Sequence, residues 1–161
     1  MSDADFMHLA LEEAEAAAAS GEVPIGAVIV RNEEVIARGR NRVEEKKSVS
    51  AHAEFEALHA AEAFLNDWRM SDCTIYITKE PCPMCAGMLI NARFKRIVFG
   101  IGDSAGGFCG GAFDINSLPG LLWHSEITSG VCGQEALTLL KEFFRKRRLE
   151  SPRSPQEPIS K

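Results

Sequence analysis

The chain has 161 residues, of which 45% are hydrophobic and 25% are charged, and its formal net charge at pH 7 is −5. This length corresponds to about one domain, because domains commonly contain roughly 100 to 200 residues. The composition argues against a disulfide-rich miniprotein and a disordered chain, and the negative charge argues against a general polyanion-binding protein. We therefore expect one globular domain over residues 1–150, followed by a tail at 151–161.

The hydrophobic pattern predicts helices that alternate with strands. Apolar residues recur at helical spacing near the N-terminus, and two short apolar runs joined by an Asn-Glu turn predict a hairpin. The predicted elements, in chain order, are a helix at 4–19, strands at 24–31 and 34–40, a helix at 52–65, a strand at 74–78, a helix at 83–91, strands at 96–99 and 126–128, and a helix at 133–149. Seven glycines between 100 and 120 predict a loop. The proline- and serine-rich tail is predicted to be disordered.

Neither end of the chain indicates secretion or a membrane anchor. The N-terminal segment is acidic and alanine-rich, and no apolar run approaches the ~18 to 20 residues that a membrane span requires. We therefore expect a cytoplasmic protein that binds no membrane. Five cysteines, an odd number that includes one Cys-x-x-Cys pair, favour metal or redox chemistry over a disulfide framework. We expect no function for the other three cysteines, Cys73, Cys109 and Cys132.

Two short segments carry the residues with the clearest chemistry. His52 and Glu54 fall at one predicted helix start, and Cys82 and Cys85 fall at the next. Zinc prefers imidazole and thiolate ligands in tetrahedral geometry, so His52, Cys82 and Cys85 are candidate ligands. Three protein ligands leave one position for water, which is typical of a catalytic zinc site and requires a nearby base. Glu54, two residues from a candidate ligand, is the candidate catalytic proton carrier.

Two alternatives to this interpretation are weaker. His59 lies on the same helical face as His52, but two helical turns separate them by ~10 Å, which is too far to share one ion. A Cys-x-x-Cys pair alone is also typical of redox sites, yet thioredoxin-like sites do not require an upstream His-x-Glu.

The last predicted helix reverses the acidic character of the N-terminus. Residues 1–22 contain no lysine or arginine, whereas four basic residues are contiguous at 145–148. Such a cluster either contacts phosphates or forms a solvated helix end. We predict that Arg147 and Arg148 contact phosphates. Phe144, at the same helix end, either stacks on a base or closes the core.

The pattern His52-Ala53-Glu54 followed by Pro81-Cys82-x-x-Cys85 resembles the signature of the zinc-dependent nucleobase deaminases. From about residue 6 to residue 148 the chain is similar to bacterial tRNA-specific adenosine deaminases, within the cytidine/deoxycytidylate deaminase superfamily. Further matching segments are Glu22-Val23-Pro24-Ile25-Gly26-Ala27-Val28, Asn41-Arg42, Arg96-Ile97-Val98-Phe99-Gly100, Asp103, Glu126-Ile127-Thr128 and Phe143-Phe144-Arg145-Lys146-Arg147-Arg148.

This resemblance implies a three-layer α/β/α cytidine-deaminase-like fold with a mixed five-stranded sheet, and a homodimer. It implies hydrolysis of adenosine to inosine at the wobble position of a tRNA anticodon loop. It also implies one Zn²⁺ per subunit, held by His52, Cys82 and Cys85, with Glu54 as the proton carrier. The further positions implied to contact the substrate or its RNA are Asn41, Ala53, Asp103, Phe144, Arg147 and Arg148.

Differences from the family pattern keep other functions open. Many relatives have a lysine shortly after the position of Asp103, whereas Ser104-Ala105-Gly106-Gly107 carries no charge. Loss of this lysine favours, as the alternative, a small-molecule deaminase of guanine, cytosine or a nucleoside that uses the same zinc and glutamate. A third possibility, a non-enzymatic tRNA-binding or structural zinc subunit, is disfavoured because Glu54 is present.

Overall fold

The computed structural model describes residues 1–150, and the predicted tail at 151–161 lies outside the described residues. The helices are α1 (Asp3–Ala19), α2 (Val43–Lys46), α3 (Ala53–Leu65), α4 (Pro83–Asn91) and α5 (Gly133–Glu150). The strands are β1 (Gly26–Arg31), β2 (Glu34–Arg40), β3 (Cys73–Lys79), β4 (Arg96–Ile101) and β5 (Glu126–Thr128). The predicted helices and strands are confirmed to within a few residues at their ends. The short α2 and a 3₁₀ turn at Ile115–Ser117 were not predicted.

The five strands form one mixed sheet in the order β2-β1-β3-β4-β5. Strand β1 pairs antiparallel with β2 and β3, whereas β3, β4 and β5 are parallel. The hairpin between β1 and β2 turns at Asn32 and Glu33, which both have positive φ angles, 51° and 62°. Two consecutive positive φ angles match the right-handed twist of paired strands, which explains why two residues suffice for this turn.

Apolar residues cover both faces of the sheet, so the sheet must be enclosed between two helical layers. On one face, α3 and α4 pack over a cluster that includes Ile29, Ile75, Ile77 and Ile97. On the other face, α1 packs over Val28, Val30, Tyr76 and Val98. Strand β1 and strand β3 each contribute alternate residues to the two clusters, as the period of two in a strand requires. The predicted three-layer α/β/α fold is confirmed.

Helix α3 lies unusually close to the sheet. A Cβ atom at Gly39 of β2 would lie 2.4 Å from the carbonyl oxygen of Ala53 and 2.4 Å from the amide nitrogen of Ala57. Only glycine permits this approach, since real Cβ atoms do not come so near to backbone atoms. The first turn of α3 is therefore held directly against β2, and this contact sets the position of His52 and Glu54.

Helix α5 packs against β3, β4 and α1 with little apolar burial. Within its span, Ala136 is the sole residue that is fully buried in the described structure. Phe144 is 40% exposed, so the core position considered for it is wrong.

Among residues 1–150, every helix is too short or too polar to span a membrane.

Candidate active site

Two helix starts bring the candidate metal ligands together. His52 is the N-cap residue of α3, and Cys82 is the N-cap residue of α4, both in extended backbone conformations. Pro83 follows Cys82 and favours the helix start, because its fixed φ angle suits the first helical turn. Neither His52 nor Cys82 caps its own helix with its side chain. Both side chains are therefore free to point toward Cys85 in the first turn of α4.

The distances in this group suit a tetrahedral metal ion. His52 Nδ1 lies 3.7 Å from Cys82 Sγ and 3.5 Å from Cys85 Sγ. An ion at ~2.1 Å from nitrogen and ~2.3 Å from sulfur places its tetrahedral ligands about 3.6 to 3.8 Å apart. The three donor atoms lie within 4.8 Å of one another and can thus hold one metal ion.

Hydrogen bonding inside the group makes one thiol acidic. Cys82 accepts from the Cys85 thiol and from His52, and these bonds lower the pKa of Cys82 to about 4. The bond to Cys82, together with burial, raises the pKa of the Cys85 thiol. The bond to Cys82 also raises the pKa of His52. The group therefore contains a thiolate at neutral pH, which is the form that binds a metal.

Glu54 is a buried carboxylate beside this group. It is 4% exposed, and its Oε2 atom has no hydrogen-bond partner in the described structure. Burial raises the pKa of Glu54, because a charged carboxylate loses its hydration there. A carboxyl group with a raised pKa can both accept and return a proton near neutral pH. The unpartnered oxygen of this carboxylate, in a residue that lines the pocket beside the group, fits a water on the metal.

The pocket around this group encloses a cavity of about 90 Å³ and is lined by Ile25, Asn41, His52, Ala53, Glu54, Lys79, Glu80 and Cys82. The side chain of Asn41 is oriented by backbone contacts: its Nδ2 donates to the Val23 carbonyl at 3.2 Å, and its Oδ1 accepts from the Val43 N–H at 3.3 Å. Thus the structure brings Asn41 and Ala53 to the pocket with the candidate ligands and Glu54.

Asp103 does not line this pocket. Its carboxylate pairs with Lys79 Nζ at 3.1 Å and accepts the N–H groups of Ala105 and Gly106. The bond with Lys79, followed by the two backbone bonds, lowers the pKa of Asp103. Asp103 thus contacts two residues that line the pocket: its carboxylate pairs with Lys79, a residue that sequence reasoning missed, and its backbone N–H donates to Glu80. Lys79 provides a positive charge in the lining of the pocket, although the loop segment after Asp103 lacks a lysine.

Comparison with known proteins agrees with this geometry. The model of the MafB19-like deaminase family matches residues 1–148. The tRNA-specific adenosine deaminase of Bacillus subtilis is 41% identical over 143 residues, which cover 89% of this chain and 89% of that protein. The chain belongs to the family of tRNA-specific adenosine deaminases.

Solved structures resemble the deaminase to different degrees. A structure from a study of A-to-I editing by tRNA:A34 deaminases at the wobble position is 38% identical, with a TM-score of 0.82, and the match covers 84% of this chain and 99% of that one. A guanine deaminase from Nitrosomonas europaea is 26% identical, with a TM-score of 0.75, and the match covers 88% and 84%. Both sequence and structure are thus nearer to the wobble-position deaminase than to this guanine deaminase.

A second residue of the deaminase that sequence reasoning missed is Glu80. Its carboxylate is 5% exposed and accepts backbone N–H groups from Asp103 at 3.0 Å, Cys109 at 2.9 Å and Gly111 at 2.8 Å. These bonds attach the glycine-rich loop to the residue that lies two positions before Cys82. The sequence signal was the concentration of glycines, because Gly107 and Gly111 leave room for this carboxylate. A Cβ atom at either position would lie within 2.6 Å of it.

The predicted RNA-binding residues of the deaminase lie on α5 and do not line this pocket. Lys146 and Arg147 border a separate groove that is closed by Ala18 and Gly21 at the end of α1. The Arg147 guanidinium lies 5.6 Å from the centre of the Phe143 ring. Phe144 and Arg148 are exposed. This end of α5 therefore presents cations and an aromatic ring to solvent.

Proposed function

We propose that the chain catalyses the zinc-dependent hydrolysis of adenosine to inosine at the wobble position of a tRNA anticodon. The observation that carries this proposal is the buried carboxylate of Glu54 beside the His52, Cys82 and Cys85 group, in a chain that is 41% identical to a tRNA-specific adenosine deaminase. In this proposal one Zn²⁺ binds to the three donor atoms. When bound, zinc lowers the pKa of a coordinated water to ~7 and so makes hydroxide available.

Glu54 moves the protons of the reaction. It takes a proton from the water that adds to C6 of adenine and delivers this proton to N1, so that the ring remains neutral. It then takes the second proton of the added oxygen and delivers it to the departing amine. The C6–N6 bond breaks, ammonia leaves and inosine remains. The raised pKa of Glu54 supports this role, because a carrier must both gain and lose the proton within one turnover.

The pocket supports binding of a single base. The cavity beside Glu54 has a volume of about 90 Å³, which leaves room for no more than one base. A base must leave its stack to enter such a pocket, so the target nucleotide is splayed from the anticodon loop. Asn41 and the backbone near Ala53 and Cys82 contact the base. Asp103 contributes through its pair with Lys79, whose charge lies where a phosphate or a base edge enters.

The C-terminal helix supplies the RNA contacts in this proposal. Arg147 and Arg148 contact phosphates, and the exposed ring of Phe144 stacks on a base or a ribose. From the family resemblance we also propose that the protein is a homodimer and is located in the cytoplasm. The guanidinium of Arg145 is already paired with Glu142 at 2.6 Å, so Arg145 contributes less to RNA binding.

The decisive experiment uses the purified zinc-loaded protein and an arginine tRNA with an ACG anticodon. Sequencing of the product is expected to show inosine at the wobble position and adenosine elsewhere. A tRNA with guanosine at that position is the substrate control, and release of ammonia from free guanine, cytosine and adenosine is measured in parallel. No inosine in the tRNA, with zinc bound, refutes the proposal. Ammonia from a free base without any tRNA product would establish the small-molecule deaminase instead.

A further inference from the structure

A second group of metal-ligating side chains joins α1 to the start of α5, outside the pocket described above. It consists of His8 of α1, Cys132 just before α5, and Glu135 in the first turn of α5. His8 Nε2 lies 2.9 Å from Glu135 Oε2 and 3.9 Å from Cys132 Sγ. All three donor atoms lie within 4.8 Å of one another, although His8 is more than 120 positions from the other two residues.

The distances in this group resemble those of the candidate active site. There, the imidazole nitrogen lies 3.7 Å and 3.5 Å from the two sulfur atoms. A tetrahedral ion at ~2.0 to 2.3 Å from its ligands sets spacings of about 3.3 to 3.8 Å. The separations of 2.9 and 3.9 Å around His8 bracket this range, so small movements of these side chains would bring the donor atoms to the spacing of a metal site.

The backbone at Cys132 orients its side chain. Its φ angle is 54°, in the left-handed region. In this conformation the thiol is directed back toward α1, with Sγ 4.0 Å from the Ala4 carbonyl oxygen. The sulfur is therefore held beside His8.

The surrounding charges favour a cation. His8 and Glu135 border a surface groove of about 270 Å³ that is also lined by Glu12 and Glu15. One carboxylate of this groove, Glu12, is paired with Arg38, whereas no ion pair among the described residues involves Glu15. The groove is therefore acidic and accessible from solvent.

We propose that His8, Cys132 and Glu135 form a second metal site for a transition-metal dication of the zinc class, with water as the remaining ligand. Imidazole, thiolate and carboxylate together select zinc, cobalt or nickel over magnesium and calcium, which prefer oxygen ligands alone. The metal displaces the thiol proton of Cys132.

The proposed site gives α5 an attachment that its packing lacks. Ala136 is the single fully buried residue that the described structure shows in α5. A metal ion between α1 and the first turn of α5 would hold the helix that carries Arg147 and Arg148. The site is thus structural, and it does not depend on the reaction proposed above.

The test is metal content and cobalt absorption of the full chain. After removal of all metal and equilibration with Zn²⁺, the wild-type protein is expected to bind two ions per chain, and His8→Ala and Cys132→Ser are expected to bind one. With Co²⁺, the thiolate absorption of Cys132→Ser falls by about a third, because the coordinating thiolates decrease from three to two. His124→Ala, which removes an exposed histidine outside both groups, is the matched control and retains two ions.

Hydrogen exchange supplies a second measurement that does not rely on the stoichiometry. The second ion is expected to slow amide exchange at 133–140 in the wild-type protein and to have no effect there in Cys132→Ser. Binding of one ion per wild-type chain at saturation would overturn the proposal. Binding of two ions by both His8→Ala and Cys132→Ser would overturn it equally, since the second ion would then bind elsewhere.

Discussion

The contact between Gly107 and Glu80 gives the sharpest stability prediction. An alanine Cβ atom at position 107 would lie 2.2 Å from the carboxyl carbon of Glu80, so Gly107→Ala must displace this buried side chain. Overpacking costs ~1 to 3 kcal/mol. The displaced carboxylate also loses at least one of its backbone hydrogen bonds, at ~1.5 to 3 kcal/mol each for a charged acceptor. We therefore expect Gly107→Ala to lower the free energy of unfolding by about 2.5 to 6 kcal/mol.

The neighbouring glycine is the matched control. A Cβ atom at Gly106 would lie 3.5 Å from its nearest neighbour, Asp103 Oδ2, which is an ordinary contact. Gly106→Ala is expected to change the free energy of unfolding by less than about 1 kcal/mol. Both variants are compared by urea unfolding and by kcat/KM on the tRNA substrate, which should fall only for Gly107→Ala. Unfolding free energies within ~0.5 kcal/mol of each other would refute the role assigned to this loop contact, because ordinary surface substitutions differ by that much.

Three further predictions concern chemistry, RNA binding and pH. Glu54→Gln should retain zinc and lower kcat by a factor of about 10² to 10⁴, the usual contribution of general acid–base catalysis, as measured by inosine formation. Replacing Arg147 and Arg148 by alanine should weaken tRNA binding and reduce the slope of log Kd against log salt by about 1.4 to 1.8, because each phosphate contact contributes ~0.7 to 0.9. The Arg96 guanidinium, followed by the Tyr76 hydroxyl, lowers the pKa of Asp3 below its ordinary value of 3.8. The ionised carboxylate therefore stabilises the fold above pH 3.8, and this contribution is lost as the pH falls through the pKa of the folded state. The difference in unfolding free energy between wild type and Asp3→Asn should accordingly be larger at pH 7 than at pH 2.

Each of these predictions has a distinct contrary result. Undiminished turnover by Glu54→Gln would show that Glu54 is not the proton carrier. For the arginines, Arg145→Ala is the control, since the guanidinium of Arg145 is already paired with the Glu142 carboxylate. An equal change of slope for Arg145→Ala and for a single Arg148→Ala would show a general charge effect. For Asp3, an unfolding difference that is constant between pH 7 and pH 2 would contradict the ion pair.

The sequence was sufficient to predict the helices, the strands and the meeting of His52 with Cys82 and Cys85. Those predictions rest on local signals: apolar periodicity, a proline in the first turn, and ligands at two helix starts. Contacts that depend on how a loop closes had no such signal. Glu80 looks like an ordinary acidic residue until the glycine-rich loop folds over its carboxylate. The same holds for Lys79, because the sequence does not show that its ammonium group pairs with Asp103.

Helix α5 shows a second reason why the sequence predicts the structure only in part. Its apolar stripe predicted a helix correctly, but periodicity does not reveal how much of a stripe is covered. Phe144 therefore seemed suitable for the core and is instead 40% exposed. The proximity of His8 to Cys132 was also beyond prediction, because it requires the relative placement of the first and last helices across the whole sheet.

The absence of side-chain caps at His52 and Cys82 couples the metal to the ends of two helices. Every helix start leaves backbone N–H groups without partners in the helix, and a capping side chain commonly satisfies one of them. At α3 and α4 the cap residues instead direct their side chains to a common point. A metal ion held by these residues would therefore join the two helix starts to each other. Chelation should accordingly loosen the amides of both first turns together, and metal supply would determine how well the base pocket is ordered.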